Sequence, residues 1–172
     1  MEHQINLIPL QGMEWDGVPL SFGQSRAEVS ALLGDAEEVR GKRACYRGGE
    51  LALDFDADDR LEFIEFLGGV EGKLRPELYG QDVFAADADE LCADLAERNG
   101  PDIDEDEAPY CYALRGLSVG LYREVAPQDI DAMLREMCKM DLTQLGGIDI
   151  EDERQKAGHW AAVGIGQADY YI

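Results

Sequence analysis

Residues 51–66, LALDFDADDRLEFIEF, carry the most regular alternation of apolar and polar positions in the chain. Leu51, Leu53 and Phe55 alternate with Ala52, Asp54 and Asp56, the period-2 signature of a half-buried strand. Ala57-Asp58-Asp59-Arg60 is polar enough to turn the chain, and Leu61, Phe63, Ile64 and Phe66 return apolar. The pattern predicts a β-hairpin.

Upstream, an edge strand is expected near residues 5–10. A loop through Gly12, Gly17, Pro19 and Gly23 follows, with Trp15 as a lid over the edge of the core. Ser25 and Glu28 form a capping box, in which the Ser25 hydroxyl accepts from the third helical N–H and Glu28 reaches back. Val29, Leu32 and Leu33 follow at helical spacing and Gly34 supplies the stop, so a short helix spans residues 25–33. Residues 44–47 read as a strand, Gly48-Gly49 as a tight turn, and the chain loosens through Gly68, Gly69, Gly72 and Pro76.

A second unit begins near Asp82. Asp87 to Glu90 has the shape of another helix cap, Leu91 and Leu95 mark an apolar stripe, and Asn99-Gly100 ends the helix. After an acidic loop between Pro101 and Pro109, residues 110–122 alternate as a strand. Pro127 opens a helix whose stripe of Ile130, Met133, Leu134, Met137 and Cys138 runs to about Met140. Met133, Met137 and Met140 read as core in the first instance. Glu151 to Lys156 is charged and exposed, residues 160–165 form a last strand, and Tyr170-Tyr171 follow it.

Set against each other at an offset of 66, the two units match in order. Val29 falls on Leu95, Gly34 on Gly100, Cys45-Tyr46 on Cys111-Tyr112, and Leu51, Leu53 and Phe55 on Leu117, Val119 and Leu121. The expected fold is α+β, with antiparallel strands in one or two sheets and about three helices on one side. It forms a single compact domain over residues 1–172, built of repeats at about 23–67 and 82–123, with a C-terminal helix and strand added.

Composition narrows the function. There are 37 acidic against 15 basic residues, a net charge of −22. A folded chain of 19.0 kDa exposes about 8,400 Å², hence roughly one uncompensated negative charge per 380 Å². Such a surface repels nucleic acid and anionic lipid and favours encounter with a basic protein. No apolar run approaches a membrane span, and the start MEHQINLIPLQ has no basic leader, so a cytoplasmic protein is expected. Cys45, Cys92, Cys111 and Cys138 sit in apolar patterns and form no CxxC pair, so reduced thiols are expected, and a zinc site is not.

Residues 51–66 also imitate a calcium loop. Asp54, Asp56, Asp58, Arg60, Glu62 and Glu65 stand at positions 1, 3, 5, 7, 9 and 12 of the EF-hand pattern. Asp59 occupies the sixth position, where the loop needs glycine, and the flanks alternate as strands, so the hairpin is the preferred reading. His3 and His159 have no triad setting. There is no G-x-S-x-G, HExxH or phosphate loop, and Gly164-Ile165-Gly166 lies at the wrong end for a dinucleotide fingerprint. No cofactor is expected. Asp102, Asp104, Glu105, Asp106 and Glu107 are the candidate partner-binding acids, with Trp15 and Tyr170-Tyr171 the next places to look.

The motif S-x-x-E-V-x-x-L-L-G, carried by Ser25, Glu28, Val29, Leu32, Leu33 and Gly34, resembles the start of the small repeat in the β-lactamase inhibitor protein and in small outer-membrane assembly lipoproteins. In size and charge the chain is similar to small acidic bacterial immunity proteins. These resemblances imply a curved antiparallel sheet and a non-enzymatic module that binds a basic toxin or nuclease. The alternatives are a small enzyme or metal-dependent protein with an unfamiliar site, and a structural or accessory protein.

Overall fold

The computed structural model describes residues 2–140 and 149–172. It is α+β, with two sheets and four helices among those residues. The N-terminal stretch is a meander of β1 (Ile5–Ile8), β2 (Gly12–Trp15) and β3 (Val18–Ser21). The expectation of one edge strand and a loop was too sparse here, because strands of four residues between glycine turns give the period-2 pattern little length to show itself. Trp15 is accordingly a buried strand residue and not a lid. The stretch that loosens after Gly68 returns as β8 (Pro76–Leu78) and β9 (Gln81–Asp82). β8 pairs parallel to β1, giving a five-stranded sheet in the order β3-β2-β1-β8-β9.

Helix α1 (Arg26–Leu33) has both halves of the capping box on Ser25 and Glu28. Helix α2 (Ala88–Asn99) is capped by Asp87, whose side chain accepts from the N–H groups of Asp89 and Glu90. Gly34 and Gly100 close the two helices at φ of 84° and 82°, a region open to glycine and strained for other residues. After α1 come β4 (Glu38–Arg40), β5 (Arg43–Tyr46), β6 (Leu51–Phe55) and β7 (Leu61–Phe66). After α2 come β10 (Ile103–Asp104), β11 (Cys111–Leu114) and β12 (Val119–Tyr122). Helices α3 (Pro127–Met137) and α4 (Ile150–Ala157) precede β13 (Ala162–Gly166).

The second sheet runs β10-β11-β12-β13-β7-β6-β5-β4. The strands after α1 fill one half and those after α2 the other, meeting antiparallel at β7 and β13. Glu65 opposes Gly164 at the centre of that seam, with Ile64 opposite Ile165 and Phe66 opposite Val163 on either side. Tyr46 pairs with Leu51, and Leu114 with Val119, so the two loops between those pairs have equal length and set Arg47-Gly48 against Arg115-Gly116. In the strands the correspondence is therefore at an offset of 68 where the helix ends stand at 66. The shift enters in the β10–β11 connection, which is longer than the Gly41-Lys42 turn between β4 and β5. An even slip leaves every side chain on its own face, so the alternation alone does not reveal it.

Leu51, Leu53, Phe55, Ile64, Phe66, Leu114, Val119, Leu121, Val163 and Ile165 point to one face of this sheet. With Val29 and Leu33 of α1, Leu91 and Leu95 of α2, and the inner residues of the five-stranded sheet they form one core. The fourth helix is α4, where three helices were expected. Its sequence IEDERQKA has no apolar stripe; it is set by Asp149 at the N-cap, acids in its first turn and basic residues in its last. On α3 only Ile130 is buried, while Met133 and Met137 are half-buried and Met140 is exposed, against the reading of the methionines as core. No described helix is long and apolar enough to cross a membrane.

Candidate functional site

Because side chains alternate along a strand, the residues between the core positions share the opposite face of the eight-stranded sheet. These are Arg43 and Cys45 on β5, Ala52 and Asp54 on β6, Phe63 and Glu65 on β7, Gly164 and Gly166 on β13, Gly120 and Tyr122 on β12, and Cys111 and Ala113 on β11. Helices α1 and α2 lie on the other side, in the core, and α3 and α4 pack on each other in the connection between β12 and β13. Residues 167–172 are the segment laid across this second face, and we call them the strap.

Tyr170 stacks on Phe63 with ring centroids 4.4 Å apart and planes 6° from parallel; Tyr171 meets the same ring edge-on at 6.0 Å. Their floor is a run of glycines on neighbouring strands. A Cβ at Gly120 would collide with the Tyr171 hydroxyl, one at Gly164 with Phe63 and with Tyr171, and one at Gly166 would stand 2.5 Å from Tyr170 Cβ. Burial pushes both phenols up, Tyr171 far above the ordinary tyrosine value, so both remain neutral hydroxyls.

Beside the rings lies a charged cluster. Arg43 donates through Nε and Nη2 to the two oxygens of the buried Asp54 (2.8 and 3.1 Å) and through Nη1 to Glu65 (2.7 Å). Those bonds hold the guanidinium charged and raise its pKa. A shift in register between Asp54 and Phe55 makes a bulge at which Glu62 accepts from Lys42 Nζ at 2.8 Å. Two of the calcium-loop candidates, Asp54 and Glu65, are thus partners of one arginine on a sheet face. Asp56 accepts the backbone N–H groups of Asp58 and Arg60 within the turn, and Asp58 is exposed there. The four do not converge on a point, and no group of three or more ligating side chains is found among the described residues.

The acidic stretch after Pro101 is only partly a loop. Ile103 and Asp104 form the edge strand β10, paired with Leu114 and Ala113. Arg115 takes two of the five candidate acids, donating to Asp104 at 2.8 Å and lying 3.6 Å from Asp102. Glu105, Asp106 and Glu107 remain exposed at the turn. Asp104 shares the second face through its pairing with Ala113. Burial, then the charges of Glu107 and Asp104, push up the Cys111 thiol on the same face. The same Arg115 donates through Nε to the Tyr171 carbonyl at 3.0 Å. One arginine therefore joins the acidic turn to the strap, bringing together two candidates that lie far apart in the sequence. Trp15 lies elsewhere, buried at 3% exposure under His3 and Arg47.

Next to the strap, Tyr122 is 48% exposed and Leu67, one residue past β7, is 44% exposed, while Ala162, the neighbour of Tyr122 on β13, is buried at 5%. Arg43, Arg115, Tyr122 and Gly120 were not singled out from the sequence, and Gly164 and Gly166 were weighed there only against a dinucleotide fingerprint. The available signal was glycine alternating with apolar residues in Val119-Gly120-Leu121 and Val163-Gly164-Ile165-Gly166, which in a strand marks a close approach by another group. Comparison with family models, with curated proteins and with solved structures returned no match.

Proposed function

We propose that this chain is a non-enzymatic protein-binding module that takes a basic protein on the second face of its eight-stranded sheet, as an inhibitor or immunity protein takes a toxin or nuclease. The observation that carries the reading is the composition of that face. Aromatic groups stand at its middle (Tyr122, Tyr170, Tyr171) and carboxylates around them (Glu62, Glu65, Asp104, Glu107), on the side of the sheet opposite α1 and α2. Aromatic centres with polar rims are the anatomy of protein interfaces, in which a few buried rings carry most of the affinity. The net charge of −22 adds steering toward a cationic surface.

The test is capture from native lysate followed by mass spectrometry, run in parallel with wild type, Tyr122→Ala and the distant surface variant Glu90→Gln. The reading requires a basic protein retained by wild type and Glu90→Gln, lost or much weakened with Tyr122→Ala, and released by salt. A captured protein indifferent to Tyr122→Ala would place the interface elsewhere, and retention unaffected by salt would remove the electrostatic part.

A further inference from the structure

We propose that the slot floored by Gly120, Gly164 and Gly166 is a binding site for a peptide segment that combines aromatic with basic residues, and that the strap is its intramolecular occupant. This rests on the reading of the second sheet face as the partner surface, and it names the chemistry that surface accepts.

Three features support it. Glycine in inner strands gives up side-chain packing and costs conformational entropy, so three of them on two adjacent strands mark a surface kept clear. What they keep clear is ring-shaped: Phe63 walls the slot, and both tyrosine rings lie against it and the glycine floor.

The strap is also lightly held. Gln167 is fixed at both ends of its peptide, its N–H donating to the Glu62 carbonyl at 2.9 Å and its carbonyl accepting from Ser118 Oγ at 2.9 Å. Past Asp169, which adopts a left-handed φ of 67°, the bonds from the strap to the sheet and its loops are fewer. They are Arg115 Nε to the Tyr171 carbonyl, the Gly120 N–H to the Tyr171 hydroxyl, and a long contact of 3.5 Å from the Tyr170 hydroxyl to Asp54. The backbone bonds of Tyr170 and Ile172 run back to Gln167 and Asp169 within the strap itself. Ring packing, these few bonds and Lys42 Nζ, 5.7 Å from the centre of the Tyr170 ring, keep this part in place.

Finally, the strap is mismatched in charge. The carboxylates of Asp54, Glu62, Glu65, Asp104 and Glu107 outnumber the cations Lys42, Arg43 and Arg115 on the face. The strap brings a further acid, Asp169, and no base. A segment with the same rings and a lysine or arginine in place of that acid keeps the stacking and replaces a repulsion by an attraction.

The experiment uses two opened forms of the chain, Tyr170→Ser/Tyr171→Ser and a chain lacking residues 168–172. It measures fluorescence polarisation with two labelled hexapeptides, one reproducing residues 167–172 and one carrying Asp169→Lys. Both opened forms are expected to bind both peptides, the lysine peptide more tightly, with that preference shrinking as salt screens it. The intact chain should bind about tenfold or more weakly, because only its strap-open fraction is competent. Gly164→Ala in an opened form should abolish binding. Folded opened forms that bind neither peptide at millimolar concentration would overturn the proposal. So would equal binding by the intact chain, or indifference to Gly164→Ala. If neither opened form folds, the strap is core and the proposal also fails. Failure of the peptides while capture of a basic protein remains sensitive to Tyr122→Ala would remove the slot alone. Capture indifferent to Tyr122→Ala would remove the interface reading and leave the peptide result standing by itself.

Discussion

Arg123 stands at the start of the connection between β12 and β13 and bonds three separate parts of the fold. It is 1% exposed. Its guanidinium donates to the Pro109 carbonyl at 2.9 Å, the Ala157 carbonyl at 3.1 Å and Asp89 Oδ1 at 2.8 Å, and it lies 4.9 Å from the centre of the Trp160 ring. One side chain thereby ties the β10–β11 connection, the end of α4 and the first turn of α2 to the start of the connection. In Arg123→Met the methylene stem is kept and the two carbonyls lose their donor, at about 1–3 kcal/mol each. The lost cation–π contact adds about 1 kcal/mol, and relief from burying a charge returns part of the sum, leaving about 3–5 kcal/mol. For a chain of this size that lowers the melting temperature by about 10 °C. Asp89→Asn is the informative control. The Asp89 side chain is 65% exposed, so its ion pair is screened, and asparagine keeps an acceptor; a loss below about 1 kcal/mol is expected. Urea unfolding of both variants decides the matter. Equal losses would show that the ion pair, and not the anchoring of carbonyls, is what Arg123 contributes.

Asp16 accepts from the Gln4 N–H and bonds His3 Nδ1, and the bond to His3 first, then that to Gln4, hold its pKa below the usual aspartate value. A depressed folded pKa gives stability that is present above the unfolded value near 4 and is lost as pH falls through the folded one. The difference in melting temperature between wild type and Asp16→Asn should therefore close as pH falls below about 4. Cys92 is pushed up to about 11, by burial first and then by the charge of Asp89, while Cys138 is exposed. With iodoacetamide at pH 8, followed by mass spectrometry, Cys138 should be alkylated early and Cys92 late; early modification of Cys92 would show that the α2 face opens in solution. Millimolar calcium should leave the melting temperature where an equal ionic strength of sodium chloride leaves it, because Arg43 holds both Asp54 and Glu65. A calcium-specific rise of several degrees, lost in Glu65→Gln, would refute that placement.

Local signals determined the elements whose causes are local. The helix α1 follows from Ser25, Glu28 and Gly34, and the hairpin of β6 and β7 from alternation about a polar turn; each is written within one short run of consecutive residues. Charge and composition likewise set the acidic surface without reference to a fold. The second sheet face was another matter. Tyr170 lies 116 positions from Asp54, and Arg115 lies 56 from Tyr171, and only the order β12-β13-β7-β6 puts them side by side. Pairing between strands depends on backbone bonds that every residue offers, so the sequence constrains the face each side chain takes but not which strand it meets. The two-residue slip between the halves shows the same limit, since an even shift satisfies the alternation as well as none. Helix α4 escaped because caps and charges set it, with no apolar stripe to show. What tertiary structure decided was which short polar and glycine-rich pieces became neighbours, and on this chain those neighbours make the candidate site.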